Sequence, residues 1–189
     1  MVLAQQVAEG TFEGPFYYQP FYYSVFLVIC RWLSGASVWG VVIAQAVLGA
    51  FTAMIAGMSG ALLAGRKAGV ITAYLTALCS ILIFYTPFHQ IATLQAFNVT
   101  LMAYWAIRAF QSGKLRYTAG FAFMAAVGSL TRGNILLIFI PLLIALGWGL
   151  LRKYSCKKMI YSLIAAVAVF LAVESPFIIY NSIQLGRLS

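Results

Sequence analysis

The sequence predicts an all-α fold: a polytopic membrane helix bundle of about six spanning helices, preceded by an interfacial, juxtamembrane helix. Three observations predict it. The 189-residue chain is 63% hydrophobic and 8% charged, whereas a soluble domain carries roughly a quarter charged residues, so it cannot cover its apolar surface in water. Its apolar residues gather into six runs, most of them near the ~20 residues that cross a bilayer as a helix. Its basic residues fall mainly at alternate breaks between those runs.

Residues 1–37 come first and read as an extracytoplasmic loop with an interfacial helix. The stretch "GPFYYQPFYYS" is rich in Phe, Tyr and Pro and has no Lys or Arg. Tyr and Trp favour the depth where one edge of the ring is wet and the rest apolar. Pro suits a first helical turn, so Gln19-Pro20 is the predicted start. Residues 16–32 are apolar enough for a short span, which is the alternative. A span there would put residues 1–15, with two Glu and no basic residue, in the cytoplasm.

The bundle proper is predicted over 38–180, with spans at 38–64, 68–88, 91–107, 115–130, 134–151 and 159–180. Lipid offers backbone groups no partner, so the spans should be helices; the alternating ten-residue segments of a barrel are not seen. The run at 115–130 is short, and Arg116 can snorkel to extend it. Gly49, Ala53, Gly57 and Ala61 recur at i+4 and make one smooth face for a close helix neighbour inside the bundle. Residues 181–189 begin a further extracytoplasmic segment. Asn98-Val99-Thr100 matches a glycosylation sequon but lies within a span.

The breaks orient the bundle. Arg66, Lys67, Arg108, Lys114, Arg116, Arg152, Lys153, Lys157 and Lys158 fall on one side; Arg31, Arg132 and Arg187 fall on the other. The richer side is cytoplasmic by the positive-inside rule. The net charge of +9 is therefore a topology signal and not a nucleic-acid footprint. Cys30, Cys79 and Cys156 show neither a disulfide framework nor metal-ligand spacing.

The other side collects the unusual polar residues. The chain has no Asp, and its acids are Glu9, Glu13 and Glu174. His89 has no second His for a metal site or a proton relay and reads first as an interfacial anchor. Glu174 reads as an ion-pair partner of Arg132 or Arg187. Arg132 stands against the basic bias in a turn where Gly133 permits tight geometry and Asn134 can cap the next helix. A guanidinium suits bidentate phosphate binding; a lipid-phosphate contact and helix-end snorkelling both fit. No phosphate loop, nucleophile triad or cofactor motif is visible.

Three segments carry a resemblance. "GPFYYQPFYYSVFLVICRWLSGASVWGVVIAQAVLGA" resembles the outer-loop-to-helix segment of the C-type (GT-C) glycosyltransferases, the protein-mannosyltransferase-like enzymes that use polyprenyl-phosphate sugars. "SLTRGNILLIFIPLLIAL" resembles their "LTRPN" turn, and "ESPFIIYNSIQLGRLS" their exit segment. The resemblance implies a multi-pass protein of the plasma membrane that transfers a hexose or pentose to an acceptor at the extracytoplasmic face. Its partners would be a lipid-linked sugar donor and membrane lipids, with no nucleic acid; the acceptor stays open. It also implies a cleft wall at 16–23 and substrate contacts at Tyr18, Gln19, His89 and Arg132, with room for a divalent metal. The family's catalytic Asp, in a first outer loop after a first helix, has no counterpart here. "MVLAQQVAEGTFEG" looks like the part just after it, and "YTPFHQIAT" lacks the acid often found there. The chain thus looks like an internal fragment or a reduced relative, with Glu13 the remaining candidate acid. A transporter or flippase segment and a non-catalytic scaffold are the competing readings; spans with almost no charge at their middles count against coupled transport.

The orientation is directly testable. In a cysteine-free background, single cysteines at 19, 89 and 132 should react with a membrane-impermeant maleimide on intact cells, and those at 67, 114 and 157 should not. Labelling at 67 without labelling at 19 would reverse the assignment.

Overall fold

The computed structural model describes residues 2–12, 14–16, 19–35, 37–88 and 90–185. Among them there is no strand. The helices are α1 (Val2–Ala8), α2 (Leu27–Ser34), α3 (Val38–Ala77), α4 (Ser80–Tyr85), α5 (Ala92–Ser112), α6 (Leu115–Thr131), α7 (Leu136–Lys153) and α8 (Cys156–Leu185). A π-helical turn, Tyr22–Phe26, leads into α2, and a 3-10 turn, Gly133–Ile135, leads into α7. Trp39–Ala77, Gly133–Lys153 and Cys156–Leu185 are long and apolar enough to cross a membrane. The protein is an all-α membrane bundle.

The first two apolar runs form a helical hairpin inside α3. Ala64 and Gly65 leave helical geometry, and Gly65 takes φ 83° and ψ 176°, a region open in practice only to glycine. The chain reverses there, and the two arms of α3 pack backbone against backbone. A Cβ on Gly69 would stand 2.7 Å from the Gly57 carbonyl oxygen and 2.7 Å from Ala61 Cβ. Gly57 faces Ala73, and Gly60 faces Thr72, with equal closeness. In lipid the gain on helix association is packing and not water release, so this contact depends on the absence of side chains. Gly57 and Ala61 of the small-residue face thus serve the contact between the two arms of α3, while a Cβ at Gly49 meets nothing within 4 Å.

The second run does not form one helix as expected. It breaks at Leu78 and Cys79, and α4 resumes for six residues. Nothing in the residue types at 78 and 79 dictates this break.

α6 is the central helix. Ten of its residues are buried, from Tyr117 to Thr131, against α5 and α7 and beside α8. Phe121 meets Phe139 of α7 (5.3 Å between ring centroids), and Phe139 stacks on Phe170 of α8 (5.1 Å). This position suits its short, Ala- and Gly-rich run: its neighbours cover most of it, and small contact residues let them approach closely.

Hydrogen bonds define two ends of the bundle. At one, Gln111 Nε2 donates to the Leu62 carbonyl (2.9 Å), and Tyr154 Oη and Lys153 Nζ donate to the Gln111 carbonyl (2.7 and 3.0 Å). All nine basic residues of the richer side lie on the segments that meet here. At the other end, Gln45 Nε2 donates to the Gln90 carbonyl (2.9 Å) and Asn98 Nδ2 to Thr131 Oγ1 (3.4 Å). Asn98 is 2% exposed, which fits a packing role and not a glycosylation site.

Gly→Ala normally raises helix stability by about 1 kcal/mol. At Gly69 the added methyl strikes backbone, so Gly69→Ala should instead destabilise by about 1–3 kcal/mol, while Gly49→Ala should be neutral or stabilising. Thermal unfolding of the two variants in detergent checks the opposite signs.

Candidate functional site

The end opposite the basic cluster carries the aromatic segment. Pro20 opens a helix that runs through Tyr22–Phe26 into α2, as its fixed φ and missing N–H favour. Gln19 before it sits at φ 49°, a strained value for a residue with a Cβ. Its carbonyl accepts from the Tyr23 N–H at 3.2 Å, starting the helix. Gly35 ends α2 in the left-handed conformation.

A two-point clamp holds the start of this segment. The Phe16 N–H donates to Asn181 Oδ1 (2.8 Å), and Asn181 Nδ2 donates to the Phe16 carbonyl (3.1 Å). Around it the Phe16 ring stacks on Phe12 (4.5 Å) and meets Tyr180 (5.3 Å) and Phe177 (6.1 Å). The aromatic segment is therefore tied to the last turns of α8, 165 residues away. Further along, Tyr22, Leu27 and Cys30 pack with Val41 of α3 and Leu94 of α5.

Arg132 is exposed, with extended backbone, between α6 and the 3-10 turn. Its N–H donates to the Gly128 carbonyl (2.8 Å), and its carbonyl accepts from the Ile135 N–H (3.2 Å). Asn134 does not cap α7 as expected, because the 3-10 turn makes the connection and Ile135 precedes the helix with no side-chain cap. Glu174 does not pair with Arg132: it lies against the Ser129 hydroxyl, one turn inward on α6. Arg187, the other expected partner, lies outside the described residues, as do Glu13, Tyr18 and His89. Of the expected substrate contacts, Gln19 and Arg132 are described, and both lie at this end.

Four side chains here, Arg31, Gln45, Tyr22 and Thr93, have surroundings that the sequence did not foretell. Arg31 counted only towards orientation, yet it forms the one ion pair among the described residues, 3.9 Å from Glu9. It also borders a groove of about 490 Å³ with Ala8, Val28, Ile29, Trp32 and Gly35. Exposed pairs of this kind add about 0–1 kcal/mol. Gln45 is fully buried in a run that reads as apolar, and its Oε1 has no described partner. Tyr22 Oη and Thr93 Oγ1 are likewise buried without one. Burial holds the Tyr22 hydroxyl well above the usual tyrosine range, so it stays protonated. Buried polar atoms are normally satisfied by protein or ordered water, so these three present unmet hydrogen-bonding capacity at the aromatic end. A lone Gln inside an apolar run was the signal available for Gln45. Among the described residues no group of three His, Cys, Asp or Glu side chains gathers as a metal's ligand set.

Asn181→Ala removes both clamp bonds and should weaken docking of the aromatic segment by about 1–3 kcal/mol. Hydrogen exchange over residues 10–20 should rise, while exchange in the core of α6 stays unchanged. Unaltered exchange at 10–20 would mean the rings alone hold the segment.

The arrangement joins an aromatic wall, an exposed guanidinium and a polar helix end at one face of a membrane bundle. Neither a curated protein nor a solved structure matches the chain. A family model does match, over residues 18–180, from the aromatic segment to the last turns of α8. The chain belongs to the dolichyl-phosphate-mannose-protein mannosyltransferase family.

Proposed function

We propose that this protein serves a membrane glycosyltransferase that moves a sugar from a polyprenyl-phosphate donor to an acceptor at the extracytoplasmic face, and that the aromatic end of the bundle is where the donor binds. Family membership across most of the chain carries the reading. The clamp between Phe16 and Asn181 supports it, because it fixes an aromatic wall at the end of the bundle that also carries Arg132. The nine-to-three division of basic residues between the two ends supports an extracytoplasmic placement of that wall, in the plasma membrane.

In the chemistry this implies, an acceptor hydroxyl attacks the anomeric carbon while the bond to the lipid phosphate breaks. A carboxylate takes the hydroxyl proton. Negative charge grows on the leaving phosphate, so a guanidinium fixed beside it stabilises the transition state more than the ground state. Arg132 is the residue assigned to that role. The aromatic wall, with Tyr18, Gln19 and His89, holds the sugar and the lipid head. The chain's acids are Glu9, Glu13 and Glu174 and it has no Asp; Glu13 is the candidate base among them, with a group supplied from outside these residues the alternative.

Arg132→Ala should reduce transfer from a polyprenyl-phosphate sugar by about ten- to a thousand-fold, the scale of losing one charge-stabilising group. Arg132→Lys keeps the charge without the fork and should be a partial defect. Both should insert normally. Unchanged turnover in Arg132→Ala, in native membranes at equal protein abundance, would leave Arg132 as a helix-end anchor only.

A further inference from the structure

We propose that Arg108, Arg116 and Tyr117, at the basic end of the bundle, form a binding site for the phosphate group of an anionic membrane lipid. The site lies at the end opposite the aromatic wall, so it stands or falls separately from the donor-binding reading. The two-residue link between α5 and α6 turns the chain back, bringing Arg116 on the first turn of α6 beside Arg108 on α5. Arg108 Nη2 donates to Tyr117 Oη at 3.0 Å and Arg116 Nη2 donates to the same oxygen at 2.9 Å. Both guanidiniums also lie over the Tyr117 ring, 5.0 and 4.7 Å from its centroid.

Two full positive charges therefore converge on one neutral phenol. Their repulsion grows as the surroundings lose water, and a phenol oxygen cannot neutralise it. No carboxylate is close in sequence to do so, because the chain has no acidic residue between Glu13 and Glu174. Arg108 Nε is buried with no described partner, so a strong donor is left over. A phosphate group answers all three conditions: it brings negative charge, and its several oxygens match the planar forks of two guanidiniums at once. Trp105 stacks on Tyr117 from α5 (5.6 Å between centroids) and keeps the phenol in place between them.

The surroundings point to a lipid as the source. Arg116 is exposed, so the site is open to the boundary where headgroups lie. Leu115 beside it and Phe123, two turns further along α6, are exposed apolar side chains, 50% and 45%. They offer the acyl chains a surface that a soluble phosphate would not use.

The test is native mass spectrometry of the purified protein mixed with phosphatidylglycerol, with phosphatidylcholine as the zwitterionic comparison. The native protein should retain phosphatidylglycerol in preference to phosphatidylcholine. Arg116→Gln, an exposed change that should leave folding intact, should lower that retention by about tenfold or more, the scale of losing a hydrogen bond to a charged group. Arg108→Gln should do the same, and Arg66→Gln, an exposed cation elsewhere at this end, should not. Persistence of the lipid in excess inorganic phosphate supports the headgroup as ligand; displacement supports the same phosphate site with the free ion as a competitor. Equal retention by Arg116→Gln and the native protein, or equal loss in Arg66→Gln, would overturn the proposal.

Discussion

Hydrocarbon supplies no hydrogen bonds, and the rest of this structure depends on that constraint. The backbone answers it with helices. The polar side chains on those helices answer it locally: Thr52, Ser59, Thr72, Thr76 and Thr100 each donate to the carbonyl four residues before. Such back-bonding lets a hydroxyl lie within an apolar run at little cost. Where polar groups must bridge helices, they do so near the ends, as Gln45 does to Gln90 and Gln111 to Leu62. The middle of the bundle is then free to pack by shape alone, through the glycine contacts of the α3 hairpin and the small residues of α6.

The same constraint sorts charge. Ionised groups are cheapest at the boundaries, so they collect at two faces, and the faces differ. One has nine basic residues and no nearby acid in the sequence; the other has the aromatic segment, Arg31 with Glu9, and Arg132. A bundle built in this way is chemically two-sided before any substrate is considered. A donor with a charged phosphate on an apolar tail suits the aromatic side, where rings can pack and the Arg132 guanidinium is not lost among many cations.

Much of the fold could be read from residue order. Most of the apolar runs, the Pro20 start and the Gly57 and Ala61 part of the small-residue face correspond to observed features, because each depends on local chemistry. What escaped depends on contacts distant in sequence. The break at Leu78 and Cys79 has no local signature. The pairing of Asn181 with Phe16 joins two distant parts of the described chain, and Glu174 meets Ser129 and not Arg132 because α6 and α8 lie side by side. At the candidate site, Arg132 stood out because it ran against the charge bias. Tyr22 and Thr93 did not, since only burial reveals a polar atom left without a described partner, while Gln45 was marked only by its place in an apolar run.

The central claim is that the lipid-phosphate donor binds at the aromatic end. Photo-crosslinking tests it most directly, using a polyprenyl-phosphate sugar with a photoreactive group on the sugar, in bilayers that also contain excess phosphatidylglycerol. The account predicts crosslinked peptides from residues 14–35, 131–135 and 174–185. Crosslinks confined to 62–67, 108–117 and 152–158 would place the donor at the basic end and contradict it.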